Sequence, residues 1–465
     1  MTDTFRQSDN KYVFPDKPEL YNLRLLFGLN MFLLVALFVM PQYFGLHLGW
    51  DITCTRLANI LITIYALLNY RVFNLFVKTF LRCSVMIPLM LYLFVTFYTM
   101  ALRADVNAFM LPFLEILTFF MLVFAIRYVL GIKRTIKVII GCAYFLGFYG
   151  LVEFVAGQSL FLKFLKTVPT TVVNMYRSGH YRIMGPCGHA LGYGLLLILF
   201  VAIACIDYEK DEMYLYKRPI LLVVLIVNVF LTGSRSTLAL VIIEAALIII
   251  FSHKAQREKA ILYSVILVFA LGAFMLVGYK TKIGSYMVLQ VVTLVDSVLG
   301  TQFSVQFGAE VNRLNDSEYY RQFLPQIFKL DWLNPVLGRG LKRTFAATIY
   351  DNAGNSINVI SVDNYYINQY IKYAYPGMIS YCLYILVAVK SMISGIIKYK
   401  SDTVKVLMIG FCCYFVNLWW VDAIQTLKFS YAFAALFFAI IIYHKDMEIK
   451  DGFPNEGTGR ETVSK

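Results

Sequence analysis

From Pro219 to Phe251 the chain reads PILLVVLIVNVFLTGSRSTLALVIIEAALIIIF, and Arg235 is its only basic residue. A cation in such a run is costly unless it snorkels to a membrane surface or faces a polar cavity. Further cations stand upstream in RSGHYRIMGPCGHALG, which holds Arg177, Arg182, His180 and His189. The surrounding segment 158–189 adds Lys163 and Lys166 and contains no Asp or Glu. Anionic lipid headgroups would suit it. So would a phosphorylated ligand, because guanidinium forks match phosphate oxygens bidentately. Arg321, in NDSEYYRQF, is a further contributor or an ordinary solvated charge in a loop of nearly balanced sign.

Two later stretches add other chemistry. SVDNYYINQYIKYAYPGM, 361–378, places Asp363, Asn364, Tyr365 and Tyr366 just ahead of an apolar segment. The acid and amide suit a helix cap. They equally suit a carboxylate base at a membrane surface, with tyrosines to pack against sugar rings. NPVLGRG, 334–340, has a Pro-led turn, two glycines that permit close backbone approach, and Arg339. Neither long polar segment holds a DxD pair or a His/Cys cluster, so no metal is expected. No Gly-rich loop follows a strand, which argues against a nucleotide-sugar donor. Glu115, Glu153 and Glu244 lie inside apolar segments and read as internal hydrogen-bonding partners rather than proton relays.

The elements that must position these residues are transmembrane helices. With 59% hydrophobic and 15% charged residues among 465, the chain has more apolar surface than one soluble core can hide. Twelve segments approach the roughly 20 apolar residues a crossing needs: 22–40, 56–70, 84–102, 108–130, 135–155, 190–206, 215–232, 236–252, 260–279, 375–396, 403–420 and 428–444. Basic residues mark alternate connections as cytoplasmic: Arg71, Lys78 and Arg82; Lys133, Arg134 and Lys137; Lys210, Lys217 and Arg218; Lys254, Arg257 and Lys259; Lys398 and Lys400. The expected organisation is a cytoplasmic tail 1–21, helices one to nine over 22–279 with a basic outer loop at 157–189, and a large outer loop 280–362. Three further helices over 363–444 and a cytoplasmic tail 445–465 complete it. Within the large loop, 286–299 could lie along the interface as an amphipathic helix. Eight cysteines without CxxC spacing suggest neither a disulfide framework nor zinc. The net charge of +14 is explained by residues flanking the spans, with no basic stripe for nucleic acid.

The order of these features resembles the O-antigen ligase and polymerase superfamily, and within it the Wzy-type polysaccharide polymerases. A GSR turn lies between two spans, an Arg in a long outer loop, then NPxxGxG, then a polar dipeptide with aromatics entering a span. RIMGPCGHALGYG, 182–194, is similar to the Arg-x-x-Gly segment of those proteins, and the resemblance covers roughly 175–380. It implies an all-α, GT-C-like glycosyltransferase of a bacterial cytoplasmic membrane, working without a cofactor on the outer face. Its substrate would be an undecaprenyl-pyrophosphate-linked oligosaccharide, and a chain-length regulator would be a partner. Arg235 and Arg321 would hold the pyrophosphate, assisted by Arg182. Ligases of the superfamily carry His where this chain has Asp363, which favours polymerisation of repeat units of O-antigen, capsule or exopolysaccharide.

On that reading the lipid pyrophosphate is a ready leaving group that needs charge stabilisation, and the acceptor hydroxyl needs a base. Asp363 comes first, His189 or His180 second, with inversion as the outcome. An exposed Asp has a pKa of about 4, so partial burial would have to raise it. The rivals are a ligase moving a finished glycan to another acceptor, and a flippase or transporter of lipid-linked oligosaccharide. Transporters commonly show repeated halves, and no internal repeat is evident here.

Overall fold

A computed structural model describes residues 18–47, 51–169, 172–177, 180–278, 280–307, 319–342 and 344–452; most of the expected tails, 1–17 and 453–465, lies outside them. The helices are α1 (Arg24–Val39), α2 (Cys54–Leu68), α3 (Tyr70–Arg82), α4 (Met86–Arg103), α5 (Val106–Ala125), α6 (Ile132–Ala156), α7 (Leu160–Leu165) and α8 (Ala190–Ala204). They continue as α9 (Pro219–Thr232), α10 (Arg235–Phe251), α11 (Lys254–Gly278), α12 (Lys282–Leu299), α13 (Tyr365–Tyr399), α14 (Asp402–Asn417) and α15 (Leu427–Gly452). Among the described residues four two-stranded antiparallel pairs punctuate them: β1 (Gly45–His47) with β2 (Asp51–Thr53), β3 (Met175–Arg177) with β4 (His180–Arg182), β5 (Ile206–Asp207) with β6 (Glu212–Met213), and β7 (Ala347–Tyr350) with β8 (Ser356–Val359).

Each of the twelve apolar segments carries a helix. By length and composition, however, five among the described residues are able to cross a membrane: α4, α5 with its π-helical continuation to Leu130, α6, α13 and α15 as far as Glu448. The pair α2 and α3, bent by 112°, would be a sixth, and α1, α8, α9 and Gly284–Leu299 of α12 are shorter apolar helices. Placement inside the bundle follows composition. A helix that is apolar all round belongs at the centre, and α8 is buried from Gly192 to Ala204 while α15 packs along α5. The basic segment with Arg71, Lys78 and Arg82, expected as a loop, is the amphipathic helix α3, started by Asn69 accepting from Val72 N at 3.3 Å.

The end of the bundle that holds Asp105, Gly233 and Asp363 is here called the loop end. At the far ends of α5 and α13, Asp446 accepts from both Arg82 and Arg127 at 2.6 Å, and Lys398 meets Glu448 at 2.7 Å. At the loop end, segment 319–362 builds a small second core. Phe323, Leu324, Ile327, Ile349 and Val359 pack on Ile367, Tyr370 and Ile371 of α13.

That core is seated on a broken helix. α13 begins ten residues before the expected apolar segment and is interrupted at Ala374, whose φ of 56° is left-handed. Pro376 has no N–H to give the Lys372 carbonyl, and Gly340 N supplies it instead at 3.0 Å. Tyr375 N turns to Pro335 O at 3.1 Å, and Arg339 N takes the Ile371 carbonyl at 2.9 Å. NPVLGRG is therefore the splint that satisfies the backbone groups freed by the break. Its second attachment is the α4–α5 corner. Arg103 Nε donates to Gly338 O at 2.8 Å, and Asp105 accepts from Leu341 N and Lys342 N at 2.5 and 2.7 Å. A Cβ at Gly338 would overlap the Lys372 carbonyl, which is backbone and cannot swing away. Gly338→Ala is expected to cost about 1–3 kcal/mol or more by overpacking. A lowered thermal midpoint in detergent, beside an unchanged or raised one for Gly141→Ala, whose Cβ would meet open space on α6, checks it.

Candidate functional site

The GSRST turn is made by two local devices. Gly233, at φ 62°, closes α9, and Ser234 caps α10 by accepting from Thr237 N at 3.4 Å, so Arg235 opens α10. A Cβ at Gly233 would overlap the Tyr286 hydroxyl and lie 3.1 Å from Arg182 Nε, so both the conformation and the crowding demand glycine. Arg235 Nη1 reaches Ser297 Oγ of α12 at 3.5 Å.

Arg182 is built into the same turn. It is 8% exposed, and its guanidinium donates to the carbonyls of Thr232 at 2.7 Å and Gly233 at 3.4 Å. Those carbonyls at the C-terminus of α9 favour a cation. The segment bearing Arg182 is held from below by Glu153 near the end of α6. One carboxylate oxygen accepts from the Tyr181 hydroxyl at 2.7 Å and Met184 N at 3.0 Å; the other accepts from Gly185 N at 3.0 Å. Glu153 is thus an internal hydrogen-bonding partner, as expected of it. The Glu244 carboxylate, in contrast, is buried with no hydrogen-bond partner among the described residues. Glu153→Gln removes an acceptor from this clamp and is expected to cost about 1–3 kcal/mol. Thermal unfolding measures that cost, and a larger loss of activity than of folded protein is expected because Arg182 shifts with its strand.

Around Arg182 the other candidates gather. Burial pushes its guanidinium down to about 10, with Arg177 adding to the effect and Tyr286 opposing it. Arg177 is pushed down by burial and by Arg321, against Tyr286 and Asp363. His180 stacks on Tyr286 with ring centroids 4.6 Å apart. Burial and the charge of Arg182 push His189 down to about 4, against Asp363. His189 is therefore neutral at physiological pH. Its Nδ1 accepts from Leu191 N at 3.0 Å, which leaves the proton on Nε2 as a donor. A donor suits phosphate or a sugar oxygen better than it suits a base.

Arg321 Nη2 and Asp363 Oδ2 form an ion pair at 2.7 Å, 23% and 31% exposed. Tyr320, pushed up to about 12 by burial and then by Asp363, stands beside it. No carboxylate among the described residues forms an ion pair with Arg177 or Arg182, so the cluster keeps a positive excess.

Four of the sequence candidates serve the scaffold. Asn364 caps α13 by accepting from Ile367 N at 3.0 Å, and its amide donates to Trp419 O at 2.9 Å. Tyr365 is 2% exposed, edge-on to Tyr381. The Tyr366 hydroxyl donates to Phe415 O at 2.8 Å. Arg339 stacks over Trp332 at 4.8 Å, within the loop that splints α13. Sequence reasoning missed Tyr286 and Gln290 of α12, which face Gly233, and the pairing of Asp422 with Asn368 at 2.9 Å next to the Asn364 cap.

No curated protein matches the chain. Residues 220–382, about a third of the chain, match the family model Wzy_C, described as O-antigen ligase. The match takes in the GSRST turn, α12, Arg321, the splint and Asp363, and leaves Arg177, Arg182 and His189 upstream of it. It is the match expected of a member of the O-antigen ligase/polymerase superfamily, a group of membrane enzymes.

Proposed function

We propose that the chain is a membrane glycosyltransferase of the GT-C kind. It polymerises undecaprenyl-pyrophosphate-linked oligosaccharide repeats on the outer face of a bacterial cytoplasmic membrane. The observation that carries this reading is the positive excess at the loop end, where Arg177 and Arg182 lie without ion-pair partners beside the Arg321–Asp363 pair and the Arg235 turn. Such a site suits the charge of a departing lipid pyrophosphate. About twelve spans with both chain ends cytoplasmic would bring the loop end outside, because the basic connections named above gather at the other end.

In the reaction the acceptor hydroxyl oxygen bonds to the donor's anomeric carbon. The carbon–oxygen bond to the pyrophosphate breaks, and its electron pair stays on the leaving phosphate, held by the arginines. The hydroxyl proton passes to Asp363. The ion pair gives this step an order: when pyrophosphate engages Arg321, the Asp363 carboxylate is released toward the acceptor. Attack opposite the leaving group inverts the anomeric centre, and the lipid-linked donor supplies the energy.

A ligase reading is favoured by the description of the matching family, and Asp363 in place of the ligase His favours the polymerase. Cells that lack the protein test both against a flippase. Single lipid-linked repeats that accumulate on the outer face support a polymerase. Full-length glycan left on its lipid indicates a ligase, and repeats trapped on the cytoplasmic face indicate a flippase.

A further inference from the structure

α12 carries a polar stripe at helical spacing: Tyr286, Gln290, Thr293 and Ser297. Its first two residues crowd Gly233, and its last contacts Arg235. The stripe runs about 16 Å, at 1.5 Å per residue, from the Arg182 cluster into a cleft of about 540 Å³. Thr293, Ser297, Gln302, Ser304, Tyr319 and Gln322 line that cleft where the end of α12 faces the second core.

Among the lining residues Asp296 alone is charged. Asp296 spends both carboxylate oxygens on the Thr301 hydroxyl at 2.5 Å, Phe303 N at 3.0 Å and Ser304 N at 2.7 Å, which folds the loop into a wall. The amides of Gln302 and Gln322 have no hydrogen-bond partner among the described residues. Each offers two donors and an acceptor, and Tyr319, 45% exposed, offers an aromatic face. Hydroxyls, amides and one ring beside a single carboxylate suit a neutral polyol and repel a second phosphate. The volume lies within the roughly 300–1,000 Å³ of small-molecule sites, more than one phosphate fills. Its charged neighbours are at the rim: Arg235 meets Ser297, and Arg321 stands between Tyr319 and Gln322 in the chain. A sugar joined to a pyrophosphate fits this arrangement, with cations at the rim of a polar pocket that has no cation in its lining.

We propose that this cleft is the saccharide subsite of the lipid-linked substrate, with Gln302, Gln322 and Tyr319 selecting the sugars it accepts. The proposal rests on the glycosyltransferase reading above. The test uses the purified full-length protein in detergent and two probes: lipid-linked repeats extracted from cells lacking the protein, and undecaprenyl pyrophosphate without sugars. Gln302 and Gln322 are exposed and unpartnered, so their replacement leaves the fold intact. The double variant Gln302→Ala/Gln322→Ala is expected to bind the repeat about tenfold more weakly, the loss of one or two hydrogen bonds. Its affinity for the sugar-free lipid is expected to stay as in the wild type. Unchanged affinity for the repeat, equal weakening for both probes, or a wild type that does not distinguish the probes would each overturn the subsite. A wild type that binds the repeat more tightly yet builds no glycan from it leaves the subsite standing and defeats the glycosyltransferase reading.

Discussion

Arg321→Ala and Arg235→Ala each stop the production of long glycan, while the protein inserts normally and the single lipid-linked repeat accumulates. Removing one contact to charge that develops in a transition state costs about 3–4 kcal/mol, or 10²–10³ in rate. For a polymerase this is amplified, because every added repeat repeats the loss. Stability separates this effect from damage to the fold. The Arg321–Asp363 pair is 23% and 31% exposed, and a pair so accessible contributes at most about 1 kcal/mol to folding. Activity is therefore expected to collapse at a nearly unchanged thermal midpoint. Arg321→Lys keeps the charge and loses the fork, and is expected to recover part of the rate. Long polymer in both alanine variants would end the assignment of these two residues as the pyrophosphate clamp.

Asp363→Asn is expected to lower turnover about 10²–10⁴-fold, the usual contribution of a positioned base, with little change in affinity for the lipid-linked repeat. The substitution keeps size and hydrogen bonding to Arg321 while removing the proton acceptor. It also leaves Arg321 without its counter-charge, so donor binding is expected to hold or tighten as turnover falls. A purely structural pair would behave differently, with stability and affinity declining together. Near-normal turnover in the Asn variant would exclude Asp363 as the base.

The helices were legible in the sequence because about 20 apolar residues in a row have few other fates. Crossing length was less so: α9 ends at Thr232 as expected but starts at Pro219 and not at 215, because the chain before it turns back through the β5–β6 hairpin. A hydropathy average hides α3, whose Arg71, Lys78 and Arg82 recur on one face of an amphipathic helix. The first turns of α13 were missed because Asn368, Gln369 and Lys372 are polar, and their helix is supported by the second core and by the splint. The break before Pro376 was not read from the sequence, and the partner of the freed Lys372 carbonyl, Gly340 N, is a long-range contact that no local pattern encodes. The cations of the site were readable one by one. Their assembly was not, since Arg321 and Asp363 lie 42 positions apart, and Glu153 holds a backbone 31 and 32 positions away. Tyr365 and Tyr366 were read as sugar-facing from residue type alone; their contacts are with Tyr381, Phe415 and Trp419.

The most direct measurement reconstitutes the purified protein in lipid vesicles with lipid-linked repeats and no nucleotide or added metal, and separates the products by glycan length. A ladder of increasing lengths, abolished by Arg321→Ala, is the predicted result. Repeats that cross the bilayer or remain single in the presence of folded wild-type protein would contradict it.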